Sequence, residues 1–175
     1  MPDDRVDLDD RVGLGTDSHR FSHPDGTRPL ILGGVELPDH PGLEGHSDAD
    51  VLTHAIIDAL IGAAGLGDIG LHFPPTDPKW ANASSIDMLR TTVAMLGDQG
   101  YGVSNVDTVV VAEAPRLRPH IEAMRGQLAA ALNVEPSAVN VKATTAEGMG
   151  AIGRGEGIQA QAVVRIVADR ERSSR

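Results

Sequence analysis

The run from Ile158 to Ala168 alternates so regularly that it dictates an architecture. Ala160, Ala162, Val164 and Ile166 fall on one side, and Gln159, Gln161, Val163, Arg165 and Val167 on the other. Successive side chains of a strand point to opposite faces. The apolar side therefore needs a covering layer, while the mixed side is left to water or to a second subunit. The covering material is restricted. Phe21, Phe73, Trp80 and Tyr101 are the whole aromatic supply of the 175 residues. The interior must be built from Ala, Val, Leu and Ile.

The remaining segments supply that layer. Arg11 to His19 reads as a first strand, and Leu30 to Leu37 as a strand with a glycine-marked bend at Gly33-Gly34. A loop rich in Pro, Gly and His follows, from Pro38 to His46. Ser47 is the expected N-cap of the first helix, with Asp50 three residues on in capping-box spacing. Val51, Leu52, Ala55, Ile56, Ala59 and Leu60 give this helix an apolar face, and Gly62, Gly65 and Gly67 mark its end. A second helix is expected over Ser85 to Leu96 and a third from Pro119 to Leu132, stopped by Asn133. Val106 to Ala112 and Val139 to Thr145 read as further strands. The pattern is that of an α+β single domain over residues 11–168. It implies one mixed four- to five-stranded sheet with helices mainly on one face. Residues 1–10 and 169–175, charged and without periodicity, read as flexible tails.

Charge and composition narrow the function. A net charge of −10 argues against nucleic-acid or acidic-membrane partners, whose phosphates need clustered Lys and Arg. No apolar run approaches the ~18 residues that span a bilayer. Cysteine is absent, so a bound metal must be held by His, Asp or Glu. The expected location is cytoplasmic.

Several segments carry residues suited to phosphate and metal chemistry. In a strand, Asp17 and His19 project to one face as an oxygen and a nitrogen ligand. On the first helix, Asp50, His54 and Asp58 stack at four-residue intervals, either as a solvated stripe or as part of a site. Nothing in the spacing alone brings His54 to Asp17 and His19. His46-Ser47-Asp48 enters that helix where unpaired N–H groups suit an anion. Gly67-Asp68-Ile69-Gly70 and Phe73-Pro74-Pro75-Thr76-Asp77-Pro78 form a rigid loop, explicable by turn chemistry or by binding of substrate hydroxyls. Ala112 to Arg118 and Lys142 to Gly148 each follow a strand, where ligand contacts often gather. Glu147 suits a hard cation, and Arg154 stands among glycines where it can clamp an anion.

Taken together in order and spacing, these segments resemble the 2-C-methyl-D-erythritol 2,4-cyclodiphosphate synthase family of the non-mevalonate isoprenoid pathway. The resemblance rests on Gly15-Thr16-Asp17-Ser18-His19, His46 to Val51, His54, Asp58-Ala59-Leu60, Gly67 to Gly70, Ala114-Pro115, Lys142 to Thr145 and Gly153 to Gly157. It implies ferredoxin-like layering and a homotrimer, with sheets facing the axis and active sites between subunits. It implies one Zn²⁺ per subunit held by Asp17, His19 and His54, and Mg²⁺ or Mn²⁺ with the substrate near Glu147. His46 and Thr145 would be the catalytic residues, and Ser47 would lie beside the phosphates. Asp68 and Gly70 would contact the methylerythritol portion, with Asp58, Ile69, Phe73, Thr76 and Asp77 as further substrate contacts. Ala112, Ala114, Pro115, Leu117, Arg118, Ala143 and Thr144 would hold the cytidine, and Arg154 a phosphate. Two positions depart from the family pattern. Pro75 stands where the loop often reads Asp, which touches a substrate or cation contact. Gln161 stands where Glu is frequent near the trimer axis, which touches isoprenoid binding in the central cavity.

The implied reaction needs no Ser or Cys nucleophile. The substrate, 4-diphosphocytidyl-2-C-methyl-D-erythritol 2-phosphate, carries its own, since a phosphate monoester is largely dianionic at pH 7. Two readings compete. A metal-dependent phosphoesterase would use the same Asp-His-His set with Asp58 as base. A non-catalytic nucleotide-binding subunit would bind CMP or CDP without turnover.

Overall fold

The computed structural model describes residues 10–22 and 28–168. The expected tails, apart from Asp10, lie outside the described residues. Along the chain run β1 (Arg11–Arg20), β2 (Pro29–Leu32), β3 (Val35–Pro41), α1 (Val51–Ala64), α2 (Ile69–His72), α3 (Ser85–Asp98), β4 (Tyr101–Val111), α4 (Ile121–Leu132), β5 (Val139–Thr144), α5 (Gly150–Gly153) and β6 (Gly157–Ala168). A four-stranded sheet has the order β1-β6-β4-β5. β6 pairs antiparallel with both β1 and β4, and β4 pairs parallel with β5. The parallel pair is joined through α4, which packs on β5.

The alternation of β6 is realised as expected. Ile158, Ala160, Ala162, Val164 and Ile166 are buried beneath the helices, and Gln161, Val163 and Arg165 are exposed. α1 lies across β1 and β6, with α3 packed beside it and α4 beside α3. Lying between sheet and helix, α1 is buried on nearly all sides, including Ile57 and Ile61 on the side its apolar stripe leaves out. Among the described residues, no helix packs on the opposite face of the sheet. There Val12 and Leu14 are 68% and 70% exposed.

Four expectations are corrected. Leu30 to Leu37 is not one bent strand of the main sheet. It is a hairpin, β2-β3, forming its own two-stranded sheet. Gly33 and Gly34 turn it with φ of 56° and 74°, the consecutive positive values a tight hairpin turn requires. The main sheet therefore has four strands, and β3 runs on to Pro41 through residues expected as loop. The N-cap of α1 is Asp50, not Ser47. Asp50 accepts from the backbone N–H of Thr53 at 3.0 Å and its hydroxyl at 2.7 Å, and also from Gly33 N–H at 2.9 Å and Gly34 N–H at 2.7 Å. One buried carboxylate thus starts the helix and fastens the hairpin to it. The helix ends at Gly65, in the left-handed conformation, and Gly62 lies inside it. Asn133 stops α4 in the same conformation, as expected.

Candidate active site

Asp17 and His19 leave β1 on its helix-facing side, and His54 comes from the second turn of α1. The three converge. Asp17 Oδ2 lies 2.9 Å from His19 Nε2 and 3.1 Å from His54 Nδ1, and the two ring nitrogens are 3.3 Å apart. Ligand atoms placed ~2.0–2.2 Å from a tetrahedral ion stand about 3.3 Å from one another, so this donor set has the dimensions of a metal site. The outer atoms of each ligand are also held. His19 Nδ1 is 2.5 Å from the Glu44 carbonyl, and Asp17 Oδ1 accepts from Ser18 N–H at 2.8 Å. His54 Nε2 faces the hydroxyls of Ser47 at 3.0 Å and Ser85 at 2.8 Å. Such partners orient imidazole ligands, and a carbonyl such as that of Glu44, which only accepts, also fixes the tautomer.

Electrostatics agree with this arrangement. Burial by itself raises the Asp17 carboxyl, but the His19 and His54 imidazoles beside it outweigh that and hold the group well below the usual carboxylate range. Burial likewise disfavours a charged His19, yet contact with Asp17 raises the imidazole above its ordinary value. Three electron-rich atoms that meet at one point repel one another unless a cation or a proton lies among them.

The triad opens into a cavity of about 260 Å³. Of the residues expected to bind substrate, His46, Ser47, Asp58, Ile69, Gly70 and Phe73 line it. Thr16, Trp80 and Met88 line it too and were not expected to, as does Pro75, at the position where a substrate or cation contact was in question. Phe73 and Trp80 stack edge to face at 4.8 Å, which makes one wall aromatic. Pro75 presents an apolar ring to that cavity. His46 is exposed, with Nε2 at 3.4 Å from the Asp77 carbonyl. Asp58 accepts from Ile69 N–H at 3.1 Å, tying α1 to α2. Asp68 and Asp77 cap α2 and the short 3₁₀ turn at Pro78, accepting from Leu71 N–H at 3.0 Å and Lys79 N–H at 2.9 Å. Thr76 is exposed on the same loop and, like Asp68 and Asp77, does not line the cavity.

A second cavity, about 430 Å³, is lined by Ala112, Pro115, Leu117, Arg118, Ala143, Thr144 and Thr145. These are the residues expected at the cytidine, with Thr145 beside them. Ala114 instead lines a neighbouring groove with Arg20 and His40, and its bond to Pro115 is cis. Glu113 accepts from Ala146 N–H at 2.9 Å and so braces the loop after β5. On that loop the Glu147 carboxylate accepts from the Thr145 hydroxyl at 2.9 Å. Arg154 is exposed and paired with Glu156 at 2.6 Å. Within one chain the triad cavity and the second cavity have no lining residue in common. Ser85 and Asp48, which hold His54, carry no signal in the sequence beyond helix-start and turn chemistry.

Comparison with known proteins finds relatives over most of the chain. The model of the YgbB family matches residues 10–167. A 2-C-methyl-D-erythritol 2,4-cyclodiphosphate synthase from Symbiobacterium thermophilum is 57% identical over 155 residues, covering 89% of this chain and 97% of that protein. Among solved structures, the bifunctional IspDF of Campylobacter jejuni superposes with a TM-score of 0.86 at 40% identity, over 91% of this chain and 42% of that one. IspF of Plasmodium falciparum, solved as a CDP complex, superposes with a TM-score of 0.79 at 30% identity, over 91% of this chain and 97% of that one.

Proposed function

The chain belongs to the YgbB family, and from that premise we propose how it carries out the 2-C-methyl-D-erythritol 2,4-cyclodiphosphate synthase activity of its relatives. The activity is a step of isoprenoid synthesis. The substrate is 4-diphosphocytidyl-2-C-methyl-D-erythritol 2-phosphate. Its 2-phosphate attacks the β-phosphorus of its own diphosphate, the bond to the α-phosphate oxygen breaks, and CMP leaves. The enzyme is thus a phosphorus–oxygen lyase. The observation that carries this reading is the meeting of Asp17, His19 and His54 at the mouth of a cavity with an aromatic wall.

Nucleophile and electrophile share one molecule, so folding that molecule correctly is the main catalytic task. Well-oriented intramolecular reactions reach effective molarities of roughly 10⁵–10⁸ M. Phe73, Ile69 and Gly70 shape the cavity around the methylerythritol portion, with Asp58, Asp68, Thr76 and Asp77 bracing or bordering its loop. Ser47 and His46 stand at the triad's edge, where a phosphate reaches both. Ser47 Oγ already accepts from Ala49 N–H at 3.2 Å, so its own proton can go to a phosphate oxygen. His46 and Thr145 orient the phosphates and donate to charge that grows in the transition state. Arg154 adds a cation once a diphosphate competes with Glu156.

Asp17, His19 and His54 suit Zn²⁺, which would supply Lewis-acid polarisation of the β-phosphate. Glu147, an exposed carboxylate on a turn, suits Mg²⁺ or Mn²⁺, which would offset charge between the α- and β-phosphates.

The cytidine belongs in the second cavity, bounded by Ala112, Pro115, Leu117, Arg118, Ala143 and Thr144, with Ala114 at its edge. One substrate must reach both cavities, and a single chain keeps them apart. An assembly in which one subunit's triad faces its neighbour's cytidine cavity meets this need, and the family resemblance implies that this assembly is a homotrimer. The helix-free sheet face, with Val12, Leu14 and Val163 exposed, supports the same reading as the surface turned to the axis. No helix of the described residues is long and apolar enough to cross a membrane, and the proposed location is cytoplasmic.

Product analysis tests the mechanism. Incubation with substrate should give one cyclic diphosphate per CMP, read by ³¹P NMR. Ring-open phosphate products would instead identify a phosphoesterase.

A further inference from the structure

His54 can present Nδ1 to a metal only if its ring proton sits on Nε2. The immediate surroundings of Nδ1 favour the opposite tautomer, because the Asp17 carboxylate 3.1 Å away would welcome an Nδ1–H donor. Something on the far side of the ring must overcome that preference. His54 Nε2 has two neighbours there, the hydroxyls of Ser47 and Ser85. A hydroxyl can donate or accept, so a serine alone decides nothing. The deciding group is one residue further out. The Ser85 hydroxyl also hydrogen-bonds Asp48 Oδ1. Asp48 Oδ1 takes Asp50 N–H at 3.2 Å, and Asp48 Oδ2 takes Ser85 N–H at 2.9 Å. A carboxylate is an acceptor, and each Asp48 oxygen already takes a backbone N–H. The proton of the Ser85 hydroxyl is therefore committed to Asp48. What Ser85 offers His54 is a lone pair, and His54 must answer with Nε2–H.

We infer that Asp48 and Ser85 form a positioning relay that fixes the tautomer of His54 and so readies its Nδ1 for a metal. The relay is well placed for this task. Ser85 is fully buried as the first residue of α3, and Asp48 lies on the loop that leads into α1. Two helices are thereby held at a fixed separation around one imidazole. Without Ser85, the Ser47 hydroxyl is free to turn and donate to Nε2. The ring proton then moves to Nδ1, toward Asp17, and covers the atom needed for the metal.

The inference rests on reading Asp17, His19 and His54 as a metal site, and the test separates the two. The protein is stripped with a chelator and titrated with Zn²⁺ against a chromophoric competitor. S85A should lower zinc affinity by about 10–100-fold, the usual cost of losing an outer partner of a ligand. S84A removes the hydroxyl that caps α3, through Asp87 N–H at 3.4 Å, without touching His54. It should leave zinc affinity unchanged, which excludes a general loosening of the helix. Ring ¹⁵N NMR of the metal-free wild type, at a pH where imidazoles are neutral, should show His54 protonated at Nε2. In S85A the signal should shift toward the Nδ1–H form. Protonation at Nδ1 in the wild type would overturn the relay even if S85A failed to fold. Equal zinc affinity for S85A and wild type would overturn it too. Wild type that takes up no zinc would overturn the metal reading with it.

Discussion

The backbone of Gly15 lies directly against the carbonyl of Ala55. A Cβ built on Gly15 would stand 2.0 Å from that oxygen, and one on Gly13 would stand 1.9 Å from the carbonyl of Ala59. Strand β1 therefore rides on the backbone of α1 rather than on its side chains. This closeness is what lets Asp17 and His19, on the same face of β1, reach His54. G15A must push the strand from the helix. Overpacking of this kind costs about 1–3 kcal/mol, and more where the obstacle is backbone. We expect a lowered urea midpoint and, in the fraction that folds, weaker zinc binding than wild type. Unchanged stability would mean that the two elements can separate freely.

Asp50 joins α1 to the hairpin through four donors. Burial pushes its carboxyl above the ordinary value, while the donors favour the ionised form. In D50N the amide takes the place of one oxygen. The least costly choice is Oδ2, because the Thr53 hydroxyl can turn and accept, but Gly34 N–H then faces another N–H. One orphaned buried donor costs about 1–3 kcal/mol. Urea denaturation should show a lower midpoint with the same slope, and D50A should fall further.

His54 contributes one ligand atom, and its loss leaves Asp17 and His19 unable to complete the set. H54A should retain its circular dichroism spectrum, lose bound zinc and lose turnover. Normal turnover by H54A with zinc still bound would remove the ion from these residues.

How much of this was legible in the chain depends on what each residue faces. The alternation of β6 showed its buried side, because apolar side chains there do meet helices. β1 does the reverse. Val12 and Leu14 point away from the helices and Gly13 and Gly15 toward them, so hydrophobicity marks the wrong side. Asp17 and His19 could be placed together from strand geometry. Their meeting with His54 depends on the glycine contact, which no spacing reveals. The helix start was misplaced by three residues for a related reason. Ser47 is a good cap by type, but its hydroxyl is taken by His54, and Ala49, with φ of 59°, turns the chain before helical geometry begins. The Asp48–Ser85 contact joins residues 37 apart and looks in sequence like two ordinary helix-start residues. The separation of the two cavities is a property of one chain folded in space and has no counterpart in any motif.

Asp107 offers a pH test remote from the triad. Its carboxylate, on β4, accepts from Lys142 Nζ at 2.6 Å and Asn140 Nδ2 at 2.8 Å, and the lysine contact holds it below its ordinary value of 3.8. A carboxyl depressed in the folded state adds stability above its unfolded value, and that stability is lost as the pH falls through the folded one. The pair is half exposed, so its contribution is about 1 kcal/mol or less and shrinks in salt. K142M should lower stability slightly at neutral pH and show a smaller further loss than wild type as the pH falls below about 5 and through the depressed folded value. Parallel curves for both proteins would show that the pair contributes nothing.

Arg154 is the cation through which the glycine-rich turn can act on substrate. Its guanidinium is exposed, and among the described residues Glu156 alone holds it, at 2.6 Å. An exposed pair of this kind contributes little stability, so its partner can be exchanged for a phosphate at small cost. A bidentate guanidinium–phosphate contact is much stronger than the pair it replaces. CMP lacks the β-phosphate, so the residue should matter more for CDP. R154A should weaken CDP binding by about tenfold or more, while CMP loses less, as measured by isothermal titration with the divalent cation held constant. E156Q should move CDP affinity the other way, because it releases the guanidinium. Equal losses for CMP and CDP in R154A would place the arginine away from the terminal phosphate.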